Sequence, residues 1–309
     1  MHGSEGELWA AVDVGTNTVL LLVARPERGG GLEVHEETCR TPRLGEGLAQ
    51  RGRLGGEASL RALGVLREYA GRLRQLGVPP GRTRVVATAA LRRAQDAREF
   101  VQRVQAECGL VLEVIGEEEE AALAHLAVAG EPGAAPAAVL DVGGGSTEYT
   151  RADGSLRRSA PVGAVVLSER FGADAAGFAG LLEAARAACA VFPESDASGE
   201  ALVLLGGSAV NLAAREGGFE RFDPRRAEGR AIDAASAGRW AADLAALPLE
   251  QRLRLPIERE RASILPAGLA CAAAALERVR PASVRVSGRG LRYGVLRDLI
   301  ARADGPAAG

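Results

Sequence analysis

No lysine occurs anywhere in the 309 residues, so all 38 basic side chains are arginine. That excludes a lysine-dependent phosphate clamp, and with it the Walker-type ATPases; a cationic contact to phosphate has to come from arginine or a metal. Cysteine and histidine are also scarce. Cys39, Cys108, Cys189 and Cys271 form no C-x-x-C pair, and His2, His35 and His125 are scattered, which speaks against zinc and against a disulfide framework. The start, Met1-His2-Gly3-Ser4-Glu5, has neither the basic nor the apolar segment of a secretory signal. The apolar stretch Ile264 to Leu276 is too short to span a bilayer. With 38 basic against 40 acidic residues, bulk charge recommends neither nucleic acid nor an anionic membrane as partner. A soluble cytoplasmic protein is expected.

What the chain does contain is a duplication. Asp13-Val14-Gly15-Thr16-Asn17-Thr18 and Asp141-Val142-Gly143-Gly144-Gly145-Ser146-Thr147 lie 128 residues apart, each closing an apolar run that predicts a buried strand. Each places a carboxylate at a strand end, then small residues whose backbone N–H groups can approach an anion, then hydroxyls. Either loop alone reads as an ordinary turn, since Gly and Asn are favoured where φ is positive. Both together require that coincidence twice, which puts a phosphate cradle ahead.

The length exceeds that at which one core usually stops growing, so two domains are expected, 1–125 and 126–309, with a closing helix at about 290–303 that can pack back on the first. Trp9 to Val14, Thr18 to Ala24 and Leu32 to Thr38 predict an antiparallel meander. Leu60, Leu63, Leu66, Leu73 and Leu76 recur near helical spacing, Arg84 to Ala87 and Leu110 to Ile115 predict strands, and Phe100, Val101, Val104 and Cys108 mark another helix. Gly130 to Pro136 is linker-like. Beyond it, Ala138 to Val142 and Thr147 to Thr150 predict strands, with a hairpin turn at Asp153-Gly154. A strand at Ala201 to Leu205 runs into Gly206-Gly207-Ser208 and a helix, a long Ala-rich helix is expected from about Glu258 to Arg280, and a last strand covers Val284 to Ser287.

The acidic run Glu117 to Glu120 has a plain explanation: carboxylates in the first turn of a helix are favoured by its dipole by ~0.3–1 kcal/mol. Helical spacing nevertheless puts Glu120 on one face with Leu123, Ala124 and Ala127, whereas Glu118 turns to the polar side. An inward carboxylate can take a proton from a water attacking a phosphate. Gly206-Gly207-Ser208 is either a strand-to-helix turn or a helix N-terminus that meets phosphate. Arg92 and Arg93 are either solvated or directed at an anion.

In sum, the order Asp13-Val-Gly-Thr-Asn-Thr, Val86-Ala-Thr-Ala-Ala-Leu-Arg92-Arg93-Ala94, Glu118-Glu119-Glu120-Ala121, Asp141-Val-Gly-Gly-Gly-Ser-Thr-Glu148 and Gly206-Gly207-Ser208 resembles the exopolyphosphatase and guanosine pentaphosphate phosphatase family. Arg261-Ala262, Ala267-Gly268, Val286-Ser287 and Gly290-Leu291-Arg292 extend the resemblance over nearly the whole chain. It implies an α/β, two-domain actin-like ATPase (ribonuclease H-like) fold with duplicated β-sheet cores flanked by helices and the active site in the cleft between domains. It also implies Glu120 as catalytic base, with Asp141 and Glu148 as acidic residues supporting metal or water. The implied phosphate cradle is Asp13, Gly15, Thr16, Asn17, Thr18, Arg92, Gly143, Gly144, Gly145, Ser146, Thr147, Gly207 and Ser208. Mg²⁺ or another divalent cation, held by Asp13, Asp141 and Glu148, is the implied cofactor.

Hydrolysis of the terminal phosphate of polyphosphate follows, with guanosine pentaphosphate or tetraphosphate as the alternative ligand and a homodimer as the assembly to test. Leu20, Ala122, Glu228 and Tyr293 depart from the family pattern, and no helical C-terminal extension like that of longer family members is expected, so short chains are the expected substrate. A phosphotransferase, or a weakly catalytic nucleotide-binding protein, are the competing expectations.

Overall fold

The computed structural model of the protein describes residues 6–194 and 199–304; residues 1–5, which include His2 and the start on which the secretory-signal expectation rests, lie outside them. The chain divides into two compact units. One takes the residues up to Ala135 and again those from Leu291, and the other runs Pro136–Gly290.

In the first unit β1 (Trp9–Val14), β2 (Val19–Pro26) and β3 (Leu32–Arg40) form the expected meander. There follow α1 (Leu48–Arg51), α2 (Gly56–Gln75), β4 (Thr83–Ala87), α3 (Ala89–Arg93), α4 (Ala97–Cys108), β5 (Leu112–Val114) and α5 (Glu117–Ala129). The sheet order is β3-β2-β1-β4-β5, with β4 parallel to β1 and β5 parallel to β4. Side chains alternate along β1, as a pleated strand requires. Ala10, Val12 and Val14 pack with Leu63, Leu66 and Tyr69 of α2, while Trp9 and Ala11 pack with Leu123 and Ala127 of α5. Asp13 therefore leaves the sheet on the α5 face. Of the α2 leucines, Leu60 is a correction: it is exposed, because the buried stripe runs through Leu63, Leu66, Tyr69 and Leu73 instead.

The second unit repeats the plan. β6 (Ala138–Val142), β7 (Thr147–Thr150) and β8 (Arg157–Ala160) are antiparallel neighbours. Next come α6 (Ala164–Phe171), α7 (Phe178–Cys189), β9 (Ala201–Leu205), α8 (Gly207–Glu216) and α9 (Pro224–Ala227). β10 (Ala231–Ile232), α10 (Ser236–Ala246), α11 (Leu249–Arg252), α12 (Leu265–Val279) and β11 (Ser283–Ser287) complete it. Strands β9 and β11 lie parallel to β6, and the order β10-β11-β9-β6-β7-β8, read from the meander outward, repeats that of the first sheet with β10 added at the far edge. Two copies of this mixed sheet, flanked by helices, make an α/β actin-like fold. The hairpin turn expected at Asp153-Gly154 is followed by β8, whose sequence Arg157-Arg158-Ser159-Ala160 lacks the apolar alternation that would have set its bounds. α12 begins at Leu265 rather than near Glu258: Pro266 in its first turn has no N–H to continue a helix from upstream, and Arg259–Arg261 forms a 3₁₀ turn there.

The last helix, α13 (Leu291–Asp304), belongs to the first unit. Leu291, Val295, Leu296 and Ile300 join the core formed by Trp9, Leu22, Val86, Ile115 and Leu123. Against the expected division at 125/126, the first unit ends at Ala135, because a cut at 125 would split α5 in mid-helix.

Candidate functional site

The two loops are closed in the same way. Gly15 N–H donates to the Thr18 carbonyl at 2.9 Å, and Gly143 N–H donates to the Ser146 carbonyl at 3.0 Å. Each spans four residues between paired strand ends, Val14 with Val19 and Val142 with Thr147. The amides of Thr16 and Asn17, and those of Gly144 and Gly145, donate to no acceptor among the described residues. Donors left open in a turn of small residues are what an anion requires. In the first loop the Asn17 side-chain Nδ2 and Oδ1 are also buried with no hydrogen-bond partner, a cost of about 1–3 kcal/mol for each unsatisfied group. The loop's carbonyls are engaged elsewhere, Thr16 with Gly45 N–H (2.8 Å) and Asn17 with Arg43 N–H (3.0 Å).

In the second loop the carbonyls of Gly143 and Gly144 accept from Ala164 N–H (3.0 Å) and Val165 N–H (2.9 Å), which caps α6. Gly163 makes that approach feasible, since a Cβ there would stand 2.6 Å from the Gly144 carbonyl carbon. Asp141 and Glu148 face each other across the β6–β7 ladder, so both carboxylates leave the same face of the sheet, opposite to Leu140 and Val142. Ser159 donates to Glu148 Oε1 at 3.2 Å. Thr147, fully buried, donates its hydroxyl to the Val162 carbonyl at 2.7 Å; the expected phosphate donor is used inside the fold.

Glu120 sits where the helical period placed it. It is 8% exposed in the first turn of α5, on the buried side with Leu123, Ala124 and Ala127, and Glu118 is exposed. Arg92 Nη1, at the end of α3, donates to Glu120 Oε2 at 2.5 Å and to the Ile115 carbonyl at 3.1 Å. Arg92 Nη2 makes no hydrogen bond and lies 4.0 Å from Glu117. Burial pushes the Glu120 carboxyl above its ordinary value; the Arg92 charge and hydrogen bond oppose the shift, Glu117 adds to it, and a Thr88 hydrogen bond lowers it. Arg93 is exposed.

Beyond β9, Gly206 adopts φ +97°, and a Cβ there would come within 2.6 Å of the Val142 carbonyl oxygen and 3.3 Å of Asp141 Oδ1. Only glycine allows this turn so close to the second loop. Ser208 is buried against Gly268 of α12, so its hydroxyl faces the core rather than the start of α8. In its place Arg261 lies over Gly207, where a side chain would strike its guanidinium, and pairs with Glu258 at 2.6 Å. Asn211, fully buried, holds this arrangement by donating to the Gly207 carbonyl (2.8 Å) and accepting from Glu258 N–H (2.8 Å).

Sequence reasoning did not assign Thr88, Gly163, Asn211 or Arg261 to the site. Thr88 had a signal, a hydroxyl between a strand and a short helix. Asn211 had another, an amide one turn after a glycine pair. Among the described residues no group of three or more His, Cys, Asp or Glu is gathered as a metal cage. The carboxylate pair Asp141 and Glu148, and Asp13 in the first unit, are oxygen donors of the kind Mg²⁺ takes, which usually binds one or two carboxylates together with substrate phosphates. No helix of the described residues is long and apolar enough to cross a membrane.

A sequence model of the Ppx/GppA phosphatase family matches residues 22–303. A solved Ppx/GppA family member from Aquifex aeolicus is 31% identical, with 97% of this chain and 99% of that chain covered and a TM-score of 0.78. An exopolyphosphatase-like protein is 24% identical over 96% of this chain and 99% of that chain, TM-score 0.85. An exopolyphosphatase from Cytophaga hutchinsonii is 21% identical over 96% of this chain and 98% of that chain, TM-score 0.80. At those identities the last two bear on the fold.

Proposed function

From the premise that this chain belongs to the Ppx/GppA phosphatase family, we propose that it releases the terminal phosphate of inorganic polyphosphate, short chains in preference to long ones. The observation that carries the reading is the buried Glu120 carboxylate, held by Arg92 at 2.5 Å on the same side of the first sheet as Asp13 and its donor-rich loop. Glu120 takes a proton from water as the water oxygen bonds to the terminal phosphorus. The bond from phosphorus to the bridging oxygen breaks, and the shortened chain leaves with the electron pair. Backbone amides of the first loop and the Arg92 guanidinium meet the phosphate oxygens on which charge builds. When bound, Mg²⁺ would neutralise phosphate charge, with Asp141 and Glu148 as its carboxylates and Asp13 as the matching carboxylate of the first loop. Arg92 Nη1 orients the base, and its Nη2, buried without a hydrogen-bond partner, lies 4.0 Å from Glu117.

Guanosine pentaphosphate is the second reading, favoured by Arg261 over Gly207: an additional cation lies at the start of α8, where a nucleotide's further phosphate would find it.

The test is phosphate release from short and long polyphosphate, guanosine pentaphosphate and ATP, each with Mg²⁺, for the unsubstituted protein and Glu120→Gln. We expect the ranking to favour short polyphosphate and the substitution to lower the rate by roughly 10²- to 10⁴-fold, the range for a general base. Full activity in Glu120→Gln would end the assignment.

A further inference from the structure

Arg84 stands inside β4, where Val85, Val86 and Ala87 are buried, and its own side chain is 5% exposed. A buried charge is tolerated only when paired. Three carboxylates from three other elements meet this one. Glu113 of β5 accepts from Nε and Nη2 at 3.1 and 3.0 Å, Glu119 of α5 accepts from Nη2 at 2.7 Å, and Asp298 of α13 accepts from Nη1 at 2.6 Å.

Glu119 immediately precedes Glu120. The helix they share starts from Gly116 without a side-chain cap, so no capping side chain holds its first turn in place. A pair of arginines grips that turn from outside, Arg92 on Glu120 and Arg84 on Glu119, and Thr88 adds a hydrogen bond to Glu120. Successive helical residues point about 100° apart, so the two grips restrain both the rotation and the height of the turn.

We infer that Arg84 is a positioning residue for Glu120, acting through Glu119 on the first turn of α5 and anchoring that turn to α13 through Asp298. This rests on the reading of Glu120 as the base. Arg84 touches no reacting group; its effect is on where the carboxylate stands, and a small displacement of a base is expensive in rate.

The experiment is steady-state hydrolysis of short polyphosphate by the full-length protein, with thermal unfolding recorded for every variant. Glu119→Ala, a half-exposed position, should lower kcat roughly tenfold to a hundredfold with KM unchanged. Glu119→Gln, which keeps an acceptor for Arg84, should recover most of that loss. Glu113→Ala removes a different partner of Arg84 and leaves the α5 contact, so it should lower the unfolding temperature and spare kcat. Arg84→Met should repeat Glu119→Ala, and the double variant should lose no more than either single one. A Glu119→Ala enzyme at full kcat, or a Glu119→Gln enzyme as slow as the alanine variant, would overturn the inference. If Glu120→Gln is inactive while Glu119→Ala is normal, only the positioning role fails; if Glu120→Gln is itself fully active, the base assignment has failed first.

Discussion

A carboxylate buried in the first turn of a helix has to be neutralised or paired, and Glu120 is paired with Arg92. Burial raises the acidity constant's pKa and Arg92 holds it down, so the two effects predict a pH dependence. A general base works only when deprotonated; activity should therefore rise with pH through a limb above the ordinary glutamate value. Arg92→Met removes the opposing charge, the carboxyl moves up further, and the acidic limb of kcat/KM should shift to higher pH. A profile whose limb stays put while its height falls would show that another group titrates. The inward position of Glu120 was legible in sequence because helical spacing is local and Leu123, Ala124 and Ala127 declare the buried side. Arg92 as its partner was not, because α3 is five residues long and its direction depends on how β4 ends beside β1.

At the scale of elements, α13 packs on α5 through a glycine. A Cβ on Gly294 would fall onto the Leu123 carbonyl oxygen, so the two helix backbones meet where no side chain fits. Arg297 secures the contact, donating to Glu131 and to the Gly30 carbonyl at 2.6 Å each, and Arg292 pairs with Glu37 at 2.9 Å. Gly294→Ala should cost about 1–3 kcal/mol, as overpacking does, read as a lower denaturation midpoint. Gly64→Ala is its counterpart, at an exposed position of α2 with open space around it, and should stabilise by about 0.4–1 kcal/mol. Equal effects at both positions would refute the close approach. Both meanders could be anticipated from apolar runs and turns, but not the bounds of β8, where two arginines occupy a strand that its pairing with β7 defines.

For the whole molecule, the discontinuity of the first unit is the governing fact. Residues 136–290 contain an entire sheet with its helices, whereas the residues up to Ala135 lack the helix that covers Trp9, Leu22 and Val86. The fragment 136–290 should fold alone with a cooperative thermal transition, and a fragment ending at residue 135 should not do so unless residues 291–304 are supplied. Circular dichroism melts of the two fragments check this, and a cooperative melt of the shorter piece by itself would count against the division.

The sequence by itself determined the duplicated carboxylate-and-turn motif, the meanders that flank it and the buried side of α5, because turn chemistry and strand or helix period are set by residues a few positions apart. Tertiary structure alone decided which side chains reach which. Arg84 meets Asp298 from 214 positions away, α13 returns to the first unit, and the hydroxyl of Thr147 goes to Val162 although its neighbours form a phosphate loop. These follow from sheet order and helix docking, where the burial of apolar area and the cost of unpaired charge, rather than local preference, select the partner.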